Sequence, residues 1–232
     1  MKLFFAISIS LIIFSSCGMQ DDMTKNDTPT SGKTELFFDE GLTLHMQNQI
    51  YTFKQVYKYA DITLRSSNEK ECVEALYNDS AKVIAISRQL TEKELKQFSA
   101  KNIFPQTSVV AGNAIAVIVN KNFKDSVISI EQITELLKGN DSCLVNDGHI
   151  KVIFDNANSG STRQLKETLI PNQSFGINCK GLNNTTELVN AISENQNAIG
   201  ICDFAWFSDK DDNTTKEFLK TVKILAVSIK KN

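Results

Sequence analysis

Histidine and arginine are both scarce: 232 residues hold two His and three Arg. His45 lies in a helical stretch and His149 in a loop-like Asn-Asp-Gly-His run, which leaves little for acid–base or metal chemistry. No G-x-S-x-G motif accompanies them, so an enzyme is not expected. Five cysteines occur, but none forms a C-x-x-C pair, which removes zinc and thioredoxin-like readings. No metal and no cofactor are called for. Excess basic charge is missing too. The formal net charge is -2, whereas a nucleic-acid binder would show a basic face. Composition is that of an ordinary folded chain, with 41% hydrophobic and 22% charged residues. No internal repeat is visible.

The arginine shortage is informative in itself. All other basic residues are Lys, and Arg is kept for Arg65, Arg88 and Arg163. A guanidinium offers a rigid donor fork that matches carboxylates and oxyanions, where an ammonium offers a point charge.

Residues 1–17 read MKLFFAISISLIIFSSC. Lys2 is a positive start, and Leu3 to Phe14 is an apolar run too short to span a bilayer. Small residues then precede Cys17, an arrangement that resembles a bacterial lipobox, with Phe14 in place of the usual Leu. The expectation is an exported chain anchored to a membrane, on a periplasmic or outer-surface face, by a lipidated Cys17. Residues 18–33 are polar and lack apolar periodicity, as a flexible tether would. Export permits disulfides. Cys143 with Cys179, both in polar, loop-like sequence, is the only pairing to entertain, and the sequence leaves open whether it forms, while Cys72 and Cys202 read as buried thiols.

From residue 34 strand and helix signals alternate. Thr34–Phe38 reads as a strand, and Leu42, Met46, Ile50, Phe53 and Tyr57 form a helical stripe. Asp61–Leu64 and Ala81–Ile86 read as strands, with a short helix over 68–77 between them. Thr91-Glu92-Lys93-Glu94 and Ser129-Ile130-Glu131-Gln132 are capping boxes. Val109–Asn120 is a long apolar run broken at Gly112 and Asn113. Val152–Phe154, Ala198–Cys202 and Lys223–Ile229 read as strands, with helices over 161–170 and 184–193. Trp206 and Phe207 read as core. The pattern implies βαβ units: an α/β fold with mainly parallel sheets and helices on both faces. Two lobes are expected, 34–111 plus 203–232 and 112–202, with a hinge near Gly112 and Asp203. A single doubly wound domain is the alternative.

All three Arg sit where an apolar strand gives way to a helix start, each beside hydroxyls: Leu64-Arg65-Ser66-Ser67, Ile86-Ser87-Arg88 and Asn158-Ser159-Gly160-Ser161-Thr162-Arg163. In open α/β sheets ligands bind beyond the carboxyl ends of the strands. Helix starts there supply free N–H groups and a positive dipole end. Such turns, if they converge, form a cage for a tetrahedral oxyanion.

The run NSGSTRQLKE resembles the serine-glycine-threonine loop of phosphate-specific ABC-transporter substrate-binding proteins. AISRQLTEKEL is similar to their third-strand loop, and AGNAIAVIVNK followed by SIEQITELLKG to their passage into a second lobe. NAIGICDFAW is similar to their return strand. The resemblance covers about Thr34 to Ile229. It implies a two-lobe periplasmic-binding fold of type 2, inorganic phosphate as ligand, an ABC-type permease as partner and a monomeric state. Carried over, it places Gly41, Leu42 and Thr43 on the first-strand loop and Ser66 or Ser67 on the second. Ser87 falls on the third loop and Ser159, Gly160 and Ser161 on the anion-gripping loop. One departure stands out. The family often has an Asp after the third-loop Ser, which accepts the proton of hydrogen phosphate and so rejects sulfate. Here Arg88 stands there, leaving Asp39 or Glu40 as candidate acceptors. Another oxyanion, a phosphorylated ligand, or a sensory role without transport are the alternatives.

Overall fold

A computed structural model describes residues 27–140 and 149–229. Two β-sheets organise them. The first is three-stranded, in the order β2–β1–β3, from β1 (Gly32–Asp39), β2 (Ala60–Ser67) and β3 (Val83–Ala85), all parallel. Three helices connect and cover it: α1 (Thr43–Val56), α2 (Glu69–Tyr77) and α3 (Glu92–Ala100). A turn of 3-10 helix, Glu40–Leu42, joins β1 to α1.

The second sheet has five strands in the order β7–β6–β8–β4–β9. They are β4 (Ile115–Asn120), β6 (Lys151–Phe154), β7 (Cys179–Gly181), β8 (Ala198–Asp203) and β9 (Val222–Ile224). β7, β6 and β8 run parallel, while β4 is antiparallel to β8 and β9. β4 and β8 are apolar without alternation because both faces are covered. Val117, Val119, Phe154 and Ile201 face one core with α4 (Ile130–Leu137) and α5 (Gly160–Leu169). Ile118, Ile153 and Cys202 face the other, with α6 (Thr185–Glu194), α7 (Ala205–Ser208) and α8 (Asn213–Thr221). Trp206 and Phe207 belong to that second core. β5 (Val127–Ser129) pairs with β10 (Ala226–Ser228) as a separate ribbon.

Local chemistry sets the helix starts. Both expected capping boxes form, Thr91 with Glu94 and Ser129 with Gln132. Asn68, Ser159, Asn184 and Asp212 cap α2, α5, α6 and α8 through side-chain oxygens. Gly139, at φ +94°, ends α4 in a conformation that favours glycine.

Two expectations need correction. The C-terminal segment does not return to the first sheet: β9 pairs with β4, and Phe218 and Val222 are buried in the second core. The first-lobe range 203–232 is thus the wrong partner for residues 213–228, because the edge of β4 offers a ladder to Val222–Ile224. The final strand is also split, Val222–Ile224 in one sheet and Ala226–Ser228 in another. In the run 109–120 only Ile115–Asn120 is a strand. Val109 and Val110 are 81% and 77% exposed, on the segment that crosses between the sheets. Cys72 and Cys202 are buried free thiols, the former pushed up to about 12 by burial. Cys17, the lipobox and Cys143, and with it the Cys143–Cys179 pairing, lie outside the described residues.

Candidate functional site

The carboxyl ends of β1, β3, β6 and β8 meet between the two sheets. β6 ends at Phe154, and Asp155 begins the turn into α5. Asp155 is fully buried; its Oδ1 accepts the Ser159 hydroxyl at 2.8 Å and the Asn156 amide at 2.7 Å. Ser159 Oγ lies 3.0 Å from both Ser161 Oγ and Thr162 Oγ1, so three hydroxyls cluster at the start of α5. The helix dipole makes this a seat for negative charge.

That seat holds a carboxylate from the other sheet. Gly160 donates its amide to Asp39 Oδ2 at 3.0 Å, across the gap from the end of β1. The next residue repeats the contact: Glu40 accepts from the Thr185 amide (3.3 Å) and hydroxyl (3.1 Å) at the start of α6. A third contact completes the closure. Asp203, at the end of β8, takes a short hydrogen bond from Asn113 and packs against Gly41, where no side chain would fit.

Carboxylates therefore crowd the hollow. Burial pushes Asp39 up to about 7, against the pull of the Gly160 amide and with further push from Asp203, Glu69 and Glu40. Burial raises Asp203 to about 6, and Asp155 well above the usual range with the help of Asp203. Asp39 Oδ1, Asp155 Oδ2 and Asp203 Oδ2 are buried with no hydrogen-bond partner among the described residues. Three orphan oxygens on raised carboxyls are acceptors for a guest that brings its own hydrogens, or donors once protonated.

Two of the three arginines converge beside this hollow, through a residue the sequence reading passed over. Glu69, the first residue of α2, is 3% exposed. It accepts from Arg88 Nε at 3.2 Å, from Arg163 Nε at 2.7 Å and from Ser87 Oγ at 3.3 Å. Arg88 also forms a two-pronged pair with Glu94, at 2.7 and 2.8 Å, and Arg163 reaches Glu167 at 2.8 Å. Arg163 and Glu69 come from opposite sheets, so their pair is a latch across the gap.

Ser87, Arg88, Ser159, Gly160, Ser161, Thr162, Arg163 and Gly41 thus share one region. Others lie apart. Arg65 pairs with Glu35 at 3.0 Å and is half exposed on the neighbouring strand. Ser66 is exposed, and Ser67 bonds to Glu71 within α2. Thr43 donates to the Glu40 carbonyl at 2.6 Å, Leu42 belongs to the connecting turn, and Asn158 is exposed with its amide on Asn156 Oδ1. Glu69, Asn113, Asp203 and Thr185 were missed. The rule about strand ends already pointed to Asp155 and Asp203, which follow the apolar runs KVIF and AIGIC. Among the described residues no His, Cys, Asp and Glu grouping could hold a metal ion.

Two α/β lobes meeting over strand ends, with helix starts turned to the gap, define a two-lobe binding-protein domain. The chain belongs to the PBP superfamily domain family, whose model matches residues 24–232. No match is found among curated proteins. Solved structures share the fold at low identity. A Clostridium perfringens protein, assigned as a phosphate ABC transporter substrate-binding protein and solved with bound phosphate, is 16% identical with a TM-score of 0.69. The match covers 84% of this chain and 76% of that one. An ABC-type phosphate transport receptor from Vibrio cholerae is 16% identical, TM-score 0.58, with the same coverage of 84% and 76%. The CcmR regulatory domain from Synechocystis PCC6803, in complex with 2-PG, is 13% identical, TM-score 0.59, covering 85% and 81%.

Proposed function

We propose that this chain is an exported, lipid-anchored binding protein that closes its lobes around a proton-bearing oxyanion, inorganic phosphate, and presents it to an ABC-type permease. One observation carries the reading: the start of α5, built to hold an anion, is occupied by the chain's own Asp39 carboxylate through the Gly160 amide. A guest would take that seat. The Ser87, Ser159 and Ser161 hydroxyls and the amides of α5 would supply donors to its oxygens. The orphan oxygens of Asp39, Asp155 and Asp203 would accept its hydrogens. Such a site disfavours a fully ionised guest, since lone pairs would face lone pairs at close range.

The lobes of this reading are residues 32–102 and 115–228, joined at the crossing 103–114, whose far end is held by the Phe204 amide on the Ala114 carbonyl at 2.7 Å. Closure is then a hinge motion, and no covalent step is required. Anchoring rests on the Cys17 motif; no helix among the described residues is long and apolar enough to cross a membrane. The likeness to the Clostridium and Vibrio proteins supports the choice of ligand.

The test is calorimetric titration of the full chain with phosphate, repeated in excess sulfate. Phosphate should bind, and sulfate should leave its affinity unchanged. Ser161→Ala, which removes one hydroxyl from the seat, should weaken phosphate by about tenfold, the scale of one hydrogen bond to a charged group. Equal competition by sulfate would remove the role given to the orphan carboxyls.

A further inference from the structure

Three of the chain's four tyrosines fall within nine residues, at Tyr51, Tyr57 and Tyr59. All three are exposed, and so is Val56, at 66%. Val56, Tyr57 and Tyr59 end α1 and form its turn into β2. The Tyr57 amide bonds to the Phe53 carbonyl at 2.8 Å, and the Ala60 amide to the Tyr57 carbonyl at 3.1 Å. The Tyr57 ring rests on Phe53, with centroids 4.7 Å apart, so it is held to the fold. β1 and β2 run parallel and both begin here, which places the turn at the base of the first lobe, away from the cleft. The eight residues of β1 put about 23 Å between this base and Asp39 at the anion seat.

The N-terminal segment arrives at the same place. Gly32 donates its amide to the Tyr59 carbonyl at 3.0 Å, and a turn from Thr28 to Ser31 brings Asp27 back against Gly32. Ten residue steps separate Asp27 from Cys17, a span of at most about 36 Å. With Cys17 in a bilayer, the base stays within that distance of lipid. The same reach exceeds the length of β1, so the link alone allows either the base or the cleft rim to face the bilayer. The surface chemistry chooses between them, and a tethered face needs little affinity of its own because its contact is intramolecular.

From this placement we infer that Val56, Tyr57 and Tyr59 form a lipid-facing surface on which the anchored chain rests, with its cleft turned to the medium. The inference rests on the lipid anchor proposed above and adds the orientation of the anchored body. Tyrosine, with an apolar ring and a polar tip, suits the headgroup level of a bilayer. Lysines frame the patch: Lys33 and Lys54 share Asp61 at 4.0 and 3.9 Å, and Lys58 lies in the turn between Tyr57 and Tyr59. Set against Asp61 and Asp27, the three lysines leave a small positive excess, which suits anionic lipid. Capture then takes place with the cleft open to solution, and delivery to a permease requires the body to tip off this face.

Hydroxyl-radical footprinting of the full chain on vesicles of phosphatidylethanolamine and phosphatidylglycerol tests this. The chain should float with the vesicles, whereas Cys17→Ala should stay in solution and serves as the reference. Oxidation of Tyr57 and Tyr59 should fall severalfold on vesicles. Phe204, at the cleft end of β8 and about as exposed as Tyr57, should keep its solution level. Val56→Glu with Tyr59→Glu, both at exposed positions, should return Tyr57 to its solution level without moving the thermal transition. A floating chain whose Tyr57 and Tyr59 oxidise as in solution, or whose Phe204 is protected equally, overturns the inference while the anchor stands. Protection already present in solution and rising with protein concentration would assign the face to a second copy and overturns it as well. A chain that does not float, or that floats without Cys17, overturns anchor and inference together.

Discussion

A single methyl group at Gly41 or Gly160 is expected to cripple ligand capture while leaving the lobes folded. A Cβ on Gly41 would overlap the Asp203 carboxylate and lie 2.9 Å from Asp203 Cβ. Asp203 is 1% exposed and tied to Asn113, so it has nowhere to go. A Cβ on Gly160 would overlap Ser87 Oγ and come within 2.8 Å of Asp39 Oδ2. Both clashes run between lobes, and the only positive-φ glycines among the described residues are Gly32 and Gly139. These two glycines therefore serve close approach, not backbone conformation. Overpacking costs about 1–3 kcal/mol, which falls on the closed state alone. Apparent affinity scales with the closed fraction, so Gly41→Ala and Gly160→Ala should each weaken phosphate by roughly 5- to 150-fold. Melting temperatures should hardly move, and small-angle scattering in saturating phosphate should show a larger radius of gyration than for the unaltered chain. Unaltered affinity would mean that the lobes need not approach this closely to bind.

The ligand-free chain is also expected to lose stability as pH rises through neutrality. Asp39 and Asp203 are held at about 7 and about 6, above their ordinary value of 3.8, mainly by burial. Groups raised in this way stabilise the closed, folded form in full below their unfolded value and cease to do so above the folded one. For Asp39 the difference corresponds to about 4 kcal/mol. Glu94 works the other way. Arg88 holds it near 2, so its contribution is present above the ordinary glutamate range and fades only in strong acid. Between about pH 4.5 and 7 the raised carboxyls dominate. Thermal melts over that window should show a falling transition temperature, and Asp39→Asn with Asp203→Asn should flatten the slope. A transition temperature that rises from pH 5 to pH 7 would contradict the electrostatic picture.

What could be read from the sequence was local. The helix starts follow from caps within four residues of one another, so the boxes Thr91–Glu94 and Ser129–Gln132 announced themselves. The buried strands of the second sheet were legible because both faces are covered. β9 was not: Val222–Ile224 is too short to declare its partner, and the open edge of β4 decides it. The three arginines illustrate the same limit. Arg88 and Arg163 do converge, but through Glu69, which is 94 residues from Arg163 and carries no motif. Arg65 belongs to the same sequence pattern yet pairs with Glu35 across β1 and β2, since the register Phe37–Arg65 sets its neighbours. Asp39, suggested only as a stand-in for a missing acceptor, lies on the Gly160 amide. The strand-end rule nominates Asp155 and Asp203 one by one, but it does not say that tertiary packing brings them to the same hollow as Asp39.

A crystal structure of the full chain grown with phosphate puts the central claim to its most direct test. The account predicts a tetrahedral anion against the first amides of α5 and the Ser87, Ser159 and Ser161 hydroxyls, with Asp39 moved off the Gly160 amide and accepting a hydrogen from the guest. Phosphate bound elsewhere, with Asp39 still seated on Gly160, would contradict it.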